Sequence, residues 1–484
     1  MRLSFLGLAL AAGLASGTSA PSPAAPAARR EVRLHYTAQD REVGRYQYVP
    51  VHVPAGTTRL TVGYAYDKAG GANVVDLGLY EPGSLDFGTP GFRGWSGGAA
   101  SEITVGTSTA TPGYWPGPLP DGEWHVLLGL YKVGPAGVDV TITTETSTTP
   151  DPQPTPTLAP RPTGPLRAGP AWFSGALHLH TRHSDGELST AEVCRRAREA
   201  GHDFVVITDH NNTTHQLDPV DVPGLLRIVG EEVTTPGGHA SVLGLGGWRD
   251  QVDFRLIAGD ERIRDLVRAA NDRGALFVIN HPRADCLGCN WEHNVSAGVA
   301  GMEITAATAA ERGAALGLWD SLLQMRRRIV AVGSSDWHRL DHPIGTASVR
   351  VWAAELSERA ILDAIRAGHV VVMADGATPP PELIVRAGEA EARVGDAITT
   401  ARGTTVRVEV KVPFPLPGGR VDLVHDGAVV ASAPISAGAP ISFPRAVTKA
   451  GYLRVHVQTA DGSPVAVTNP VYLEMAAARW SRGG

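Results

Sequence analysis

The stretch ALHLHTRHSDG at residues 176–186 decides the fold, because it joins a short apolar run to a loop rich in histidine. Similar apolar runs recur downstream, with stretches of helical periodicity between them. The runs lie at 204–207, 226–229, 276–279 and 329–332, and the helical stretches lie near 190–200, 261–273, 308–327 and 357–367. This alternation predicts an α/β barrel or a doubly wound sheet over residues 171–376.

The flanking regions have a different texture. Residues 31–147 hold short runs rich in Val, Tyr, Thr and Leu, separated by Gly, Pro and Asp clusters, which predicts an N-terminal β-sandwich domain. Residues 148–170 are rich in Pro and Thr and predict an extended linker. Residues 380–476 return to β-type alternation and predict a C-terminal β-sandwich domain. The chain is therefore predicted to be multidomain, as 484 residues would suggest.

The first residues and the overall charge indicate where the protein works. Residues 1–20 combine a basic start, an apolar run and small residues near Ala20, which predicts a signal peptide and a secreted or periplasmic protein. That run is too short to span a bilayer, and no other segment reaches about 18 apolar residues, so no membrane span is expected. A formal net charge of −6 makes nucleic acid an unlikely partner.

Polar side chains follow directly on the apolar runs. His178 and His180 point to the same side of an extended strand, so both imidazoles can reach one cation, and Asp185 can fold back from the loop. The further candidates are His210, Glu231 or the better placed Glu232, His239, His281, Asp336 and His338. Each alone has an ordinary explanation as a capping or solvated residue. Together they predict a metal centre, because burying so many ionisable groups is costly without cations.

These motifs resemble a known family. The series HLHTxxSDG, ITDH, GEEVT with GHA, NHP and SSDWH, between His178 and His338, is similar to the PHP (polymerase and histidinol phosphatase) superfamily. Its order, with a β domain after it, particularly resembles the secreted carbaryl-hydrolase-like (CehA/McbA-type) branch. The resemblance implies a distorted (β/α)7 barrel that holds two or three divalent ions.

The resemblance also implies how the ligands divide. His178, His180, Glu232 and Asp336 would bind one ion, Glu232 with His239 and His281 a second, and Asp185 with His210 and His338 a third. No ligand position is lost. One departure is Cys286-Leu287-Gly288-Cys289 after the NHP motif, and the sequence leaves open whether these two cysteines form a disulfide.

Imidazole and carboxylate ligands suit Zn, Mn or Fe, and ligand type does not choose among them. A bound cation lowers the pKa of water to about 7, so a metal-bound hydroxide is the expected nucleophile and phosphoester hydrolysis the expected reaction. Arg339 and His342 could bind the substrate anion or protonate the leaving group, as could Arg283. Surface salt bridges or loop hydrogen bonds would explain these residues equally well.

Two other functions remain open at this point. The same centre could attack the carbonyl of a carbamate, ester or amide, and an apolar pocket rather than an Arg- or Lys-lined one would favour that chemistry. Alternatively, the β domains could bind a cell-surface polymer, with the barrel as a non-catalytic scaffold. Trp95, Trp115 and Trp124 would then form a sugar-stacking platform, although core packing is the commoner role of such residues.

Overall fold

The computed structural model describes residues 28–86, 91–150, 153–295, 298–305, 308–436 and 438–476. The predicted signal peptide lies outside them. The structure is multidomain and mostly β. None of the helices within the described ranges is long and apolar enough to cross a membrane.

The N-terminal region consists of two antiparallel four-stranded sheets, ordered β1-β8-β3-β6 and β2-β7-β4-β5. Its elements are β1 (Ala28–Tyr36), α1 (Ala38–Val43), β2 (Tyr46–Val53), β3 (Arg59–Tyr66), β4 (Val74–Tyr80), β5 (Phe92–Gly97), β6 (Glu102–Gly106), β7 (Gly122–Lys132) and β8 (Val138–Ser147). Val62 of one sheet and Leu77 of the other belong to the same buried cluster, so the sheets pack face to face.

The central region alternates strands and helices as predicted. Its elements are β9 (Ala171–Leu179), α2 (Thr190–Glu199), β10 (Phe204–Ile207), β11 (Leu226–Thr235), β12 (Gly238–Leu243), α3 (Ile263–Asp272), β13 (Leu276–Ile279), β14 (Gly301–Glu303), α4 (Ala309–Gln324), β15 (Val330–Val332), β16 (Ser348–Ala353), α5 (Glu358–Ala367) and β17 (Val370–Met373). All four predicted helices are confirmed, with ends that move by a few residues. α2 begins with a capping box, in which Ser189 accepts from the backbone N–H of Glu192 and the Glu192 carboxylate accepts from the backbone N–H of Ser189.

Strand direction decides where the site can form. The central sheet has the order β15-β14-β13-β12-β11-β10-β9-β16-β17. β12 is antiparallel to both of its neighbours, and β16 is antiparallel to β9 and β17. The other ladders between β9 and β15 are parallel. Six strands, β9, β10, β11, β13, β14 and β15, therefore run the same way and end at one edge of the sheet.

The central sheet curls but its hydrogen-bond ladder does not close. Among the residues described above, no ladder joins β15 to β17, which leaves a seam between these two strands. The side chain of Asn469 bridges this seam. Asn469 Oδ1 accepts from the backbone N–H of Ala331 at 2.8 Å, and its Nδ2 donates to the carbonyls of Ala331 at 2.8 Å and Val370 at 2.9 Å. A (β/α)7 barrel is consequently not shown and stays a prediction.

The C-terminal region is built from β18 (Glu382–Ala387), β19 (Ala390–Arg393), β20 (Ala397–Thr400), β21 (Thr404–Lys411), β22 (Arg420–His425), β23 (Ala428–Pro434), β24 (Ile441–Val447), β25 (Gly451–Gln458), β26 (Pro464–Thr468) and β27 (Val471–Met475). One layer has the order β19-β18-β21-β24. The other layer is hydrogen-bonded to the central sheet, because β26 pairs with β17. The C-terminal β region thus extends the central sheet and is not connected to it by a linker alone.

Candidate metal centre

The predicted ligands meet at the edge of the central sheet where the six parallel strands end. β9 carries His178 and is followed by His180, His210 follows β10, and Glu232 lies in β11. His281, Asp336 and His338 follow the runs of β13 and β15, whereas His239 is the second residue of the reversed strand β12 at the same edge. Since the carboxyl ends of parallel strands share one edge, residues far apart in sequence become neighbours.

The first group contains His178, His180, Glu232 and Asp336, whose ligand atoms all lie within 4.8 Å of one another. His178 Nε2 is 3.2 Å from Glu232 Oε1 and 3.1 Å from Asp336 Oδ1. His180 Nε2 is 3.1 Å from the same Asp336 oxygen and 3.4 Å from Glu232 Oε2. Two imidazoles and two carboxylates around one point form a suitable set for a divalent ion.

The second and third groups flank the first. Glu232 Oε1 is 3.3 Å from both His239 Nδ1 and His281 Nε2. On the other side, Asp185 Oδ1 lies 3.2 Å from His338 Nε2 and 3.5 Å from His210 Nε2. Glu232 is therefore shared by two groups, and His180 also belongs to the cluster around Asp185. The structure brings all nine predicted ligands into one continuous cluster.

Cys289 is also close to this cluster, within 4.8 Å of ligand atoms of His239 and His281. Its sulfur forms a disulfide with Cys286, so the pairing that the sequence left open is present. A disulfide sulfur is not a thiolate, and Cys289 in this form is not a metal ligand.

The site shows the burial and strain expected of a binding centre. The side chains of His178, His180 and Glu232 are fully buried. The backbone of Asp336 has φ 46° and that of His281 φ 22°, a left-handed region that non-glycine residues rarely adopt. His239 Nε2 and His281 Nδ1 are buried and have no hydrogen-bond partner among the described residues. The other nitrogen of each ring faces Glu232 at 3.3 Å, and imidazole nitrogens around a buried carboxylate fit the donor set of a metal site.

The ionisable groups of the centre shift one another's pKa strongly. Burial opposes the charged form of Glu232 and Asp336, yet the surrounding histidines outweigh it and hold both pKa values well below the ordinary carboxyl value. Burial, together with His338 and His210, lowers the pKa of His180 to about 4. His180 thus keeps the neutral form that coordinates a metal, whereas the acids stay ionised.

Several supporting residues were not predicted. Glu303, at the end of β14, accepts from His178 Nδ1 at 2.9 Å and from the backbone N–H of His281 at 2.7 Å. Asn280 Nδ2 donates to Glu232 Oε1 at 2.9 Å. Such partners orient the ligands. Asn280 belongs to the quoted NHP motif, whereas the three-residue strand that ends at Glu303 is too short to show a pattern.

Asp209, of the ITDH motif, shapes the loop that carries Asp185. Its Oδ1 accepts from the Thr181 backbone N–H and from Ser184 Oγ, both at 2.7 Å. Its Oδ2 lies 3.1 Å from His215 Nδ1. Asp209 is fully buried and therefore serves as a scaffold for the HTRHSDG loop.

The predicted acid and anion-binding residues lie elsewhere. Arg339 and His342 are exposed, and the nearest partner of His342 Nε2 is Asp341 Oδ1 at 3.9 Å. Neither residue lines the cleft next to the ligands, and Arg283 does not line it either. Their role in binding or protonation stays a prediction.

A cleft of about 430 Å³ opens beside the ligands Asp185, His210 and His239. Its opposite wall comes from the N-terminal β region and includes Arg45 and Asp76. The remaining lining is mainly aromatic, small or aliphatic, namely Tyr46, Val74, Trp95, Gly97, Gly98, Ala99, Gly129, Tyr131, Pro236 and Leu287, and its polar members are Ser96, Ser184, Asn211 and Thr234.

The three tryptophans considered as a sugar-stacking platform are buried. Trp95 is 5% exposed, and Trp115 and Trp124 are 0% exposed. They belong to the packed interior of the N-terminal region and its contact with the central region, so an exposed platform of these residues is wrong.

Comparison with known proteins gives only a distant likeness. No protein-family model matches the chain, and no curated protein matches it. A two-domain Bacteroides vulgatus protein containing a predicted PHP-like metal-dependent phosphoesterase is 15% identical, covers 65% of this chain and 99% of its own, and has a TM-score of 0.36.

Two further solved structures are similarly distant. PsfC from Pseudomonas syringae is 14% identical over 40% of this chain and 87% of its own, with a TM-score of 0.31. An amidohydrolase from Chromobacterium violaceum with bound sulfate is 16% identical over 35% of this chain and 89% of its own, with a TM-score of 0.24. Likeness at this level carries no argument about function.

Proposed function

We propose that the protein is an exported metal-dependent hydrolase that acts first of all on phosphoesters. The observation that carries the proposal is the continuous ligand cluster, in which Glu232 and His180 each belong to two groups. Shared ligands hold neighbouring ions close together, and closely spaced ions are the arrangement that suits displacement at phosphorus.

The ligands fit two or three divalent ions, of Zn, Mn or Fe. His178, His180, Glu232 and Asp336 would hold one, Glu232 with His239 and His281 another, and Asp185 with His210 and His338 a third. When bound, such ions supply an activated water and neutralise charge on the reacting group. The distorted (β/α)7 barrel, membership of the PHP superfamily and its CehA/McbA-type branch are part of this proposal.

The chain's own residues determine what the centre accepts. Among the described residues that line the cleft, Arg45 is the one Lys or Arg side chain. A dianionic monoester would gain little from the protein beyond the ions, whereas a singly charged diester or an uncharged ester needs fewer cationic partners. The aromatic and aliphatic lining suits an apolar leaving group.

The same lining also suits a second candidate function, the hydrolysis of an aryl carbamate, ester or amide. Its support is the scarcity of cationic side chains in the cleft. A cell-surface binding protein with a non-catalytic barrel has less support, because the three tryptophans that would form its platform are buried.

In the exposed loop after β15, Arg339 and His342 are proposed to reach a substrate anion or leaving group only when a larger substrate is bound.

The test is turnover by the purified protein, with metal content determined on the same sample. The substrates are 4-nitrophenyl phosphate, bis(4-nitrophenyl) phosphate and 1-naphthyl N-methylcarbamate. Asp336→Ala removes a ligand of the first group, and Asp341→Ala is the matched control, since Asp341 is exposed and five residues away.

We expect faster turnover of the diester than of the monoester, loss of activity in Asp336→Ala and retention in Asp341→Ala. Turnover of the carbamate alone would replace the phosphoester with the second candidate. A protein that binds no metal after reconstitution would contradict the whole proposal.

A further inference from the structure

The N-terminal β region is fixed firmly against the metal-binding region. Glu81 Oε2 pairs with Arg93 at 2.6 Å, and Glu81 Oε1 pairs with Arg249 of the central region at 2.6 Å. Trp95 packs on Phe254 with ring centroids 4.6 Å apart, and both belong to one buried cluster with residues of the central strands. A shared core and a buried ion network hold the two walls of the cleft in one geometry.

The loop carrying the disulfide reaches the same wall. Tyr131 of β7 donates its hydroxyl to the carbonyl of Leu287 at 3.1 Å, and both residues line the cleft. The disulfide between Cys286 and Cys289 closes this loop on either side of Leu287. The rim of the cleft therefore joins a strand of the N-terminal region to a loop beside His281.

Asp76 lies in a recess of this wall that glycines leave open. A Cβ on Gly129 would lie 3.3 Å from Asp76 Oδ2, and one on Gly97 would lie 3.6 Å from Asp76 Oδ1. A Cβ on Gly98 would lie 3.9 Å from Asp76 Oδ1. The absence of side chains at these three positions gives a ligand direct access to the carboxyl group.

The Asp76 carboxyl group is half-buried and forms no hydrogen bond or ion pair with any residue in the described ranges. Burial raises its pKa to about 7, and the charge of His210 acts in the opposite direction. The phenol groups of Tyr46, Tyr64 and Tyr131 are further titratable groups that interact electrostatically with Asp76. Polar groups removed from water are normally satisfied, so an unpaired carboxyl beside a cleft indicates a missing partner.

We propose that the N-terminal β region forms the binding pocket for the non-reacting part of the substrate. This part is an apolar ring or short chain bearing an amino or hydroxyl group, which donates a hydrogen bond to Asp76. The aromatic wall with Trp95 and Tyr46 covers the ring, while the reacting group faces Asp185, His210 and His239. The inference rests on the proposed function and names its substrate class.

Two substitutions alter this pocket without touching a predicted metal ligand. Gly98→Leu places a side chain beside Asp76, and Gly98 is exposed with no left-handed φ, so the fold should tolerate it. Asp76→Asn keeps the shape of the acid and removes its charge. Gly313→Leu is the matched control, because Gly313 lies exposed on α4 and an added Cβ meets no atom within 4 Å.

Binding is measured by titration calorimetry on the metal-loaded full chain, with three ligands that are not hydrolysed. Methylphosphonate carries the oxyanion alone, benzylphosphonate adds a ring, and 4-(aminomethyl)benzylphosphonate adds an amino group. We expect roughly tenfold tighter binding on adding the ring and a further several-fold gain on adding the amino group.

Gly98→Leu should abolish both gains and leave methylphosphonate unchanged, Asp76→Asn should abolish only the second, and Gly313→Leu should change nothing. Equal affinities of wild type for methyl- and benzylphosphonate, or no effect of Gly98→Leu, would overturn the inference. If methylphosphonate does not bind although the ions are present, the proposed function fails. In that case benzylphosphonate binding that Gly98→Leu abolishes would still support the pocket, and its absence would overturn it.

Discussion

Glu232 illustrates how one residue can define a whole centre. Its two carboxylate oxygens lie 2.8–3.4 Å from nitrogens of five histidines that come from four separate motifs. The sequence left a choice between Glu231 and Glu232. The geometry separates them, because Glu231 points away, accepts from the Val252 backbone N–H at 2.8 Å and, being buried, has its pKa raised to about 8.

Glu303 should matter for metal affinity although it is not a predicted ligand. It holds His178 Nδ1 and the backbone N–H of His281, so Glu303→Gln would remove a negative charge that fixes both ligands. We expect metal affinity to fall by about ten- to a hundredfold, measured by competition with a chelating dye. Glu389→Gln, in an exposed turn, is the control. Equal affinities of the two variants would contradict the orienting role.

His202 predicts a pH dependence of stability away from the metal centre. It is fully buried, its Nδ1 is 3.0 Å from Ser174 Oγ, and burial together with Arg350 lowers its pKa to about 4. The unfolded chain, with an ordinary His pKa of about 6.5, then binds more protons than the native one between these values. Stability contributed by neutral His202 is therefore present above about pH 6.5 and is lost as the pH falls toward 4, by up to about 1.4 kcal/mol per pH unit.

The check compares His202→Gln with wild type by urea unfolding from pH 7.5 to pH 4.5, both in the metal-free form. The free energy of unfolding should depend less steeply on pH in the variant, while the exposed His52→Gln should follow wild type. Parallel curves for His202→Gln and wild type would show that His202 does not cause the acid sensitivity.

At the level of elements, the sequence predicts some of the strands of the central sheet but not their directions. The runs at 204–207 and 276–279 became β10 and β13 because four consecutive apolar residues bounded by turns have few other ways to be buried. The short strand β14 and the reversal of β12 were not predictable, since direction depends on partners far along the chain. The ligand motifs were recognisable because each is local to a strand end.

The seam between β15 and β17 depends on a side chain and not on a ladder. Asn469 comes after β26, in the C-terminal region, and supplies the hydrogen bonds that a neighbouring strand would supply elsewhere. Nothing in the sequence near Asn469 indicates this role, because its partners Ala331 and Val370 are about 100 residues or more away.

Asn469→Ala should open this seam. Asn469 is 1% exposed, so its loss leaves backbone groups of Ala331 and Val370 buried without partners. We expect a cost of at least about 2 kcal/mol in the free energy of unfolding, measured by guanidinium denaturation. Asn294→Ala is the control, since Asn294 is exposed and makes one 3.3 Å hydrogen bond to Glu261. A cost no larger than that of the control would mean that water or a backbone shift replaces the amide.

At the scale of the whole molecule, the regions of the chain contact one another at positions that the sequence does not indicate. The Pro- and Thr-rich segment is predicted to be an extended linker, and part of it contacts the central region: Arg161 donates to the Leu245 carbonyl at 2.7 Å, and the Leu166 N–H donates to the Leu356 carbonyl at 2.8 Å. Asp76 shows why the cleft could not be predicted. It lies in the ordinary strand VVDLGLY, and only tertiary packing brings it next to residues more than 100 positions later.

Glu81→Gln tests whether the N-terminal and central regions unfold together. Glu81 lies between the guanidinium groups of Arg93 and Arg249, and the side chain of Arg93 is 1% exposed. Removing the negative charge leaves two cations facing each other in a buried interface, which should cost about 3–5 kcal/mol. Glu123→Gln is the control, because Glu123 is exposed on β7.

Thermal unfolding of these variants should be followed by tryptophan fluorescence and by release of bound metal on the same samples. If the two regions share one core, both signals in Glu81→Gln shift to lower temperature together and coincide, as they do in wild type. Metal release that keeps its wild-type midpoint while the fluorescence midpoint falls would mean that the central region is stable alone. The N-terminal β region would then unfold separately from the central region. Its unfolding should weaken benzylphosphonate binding at a lower temperature than that at which the ions are released.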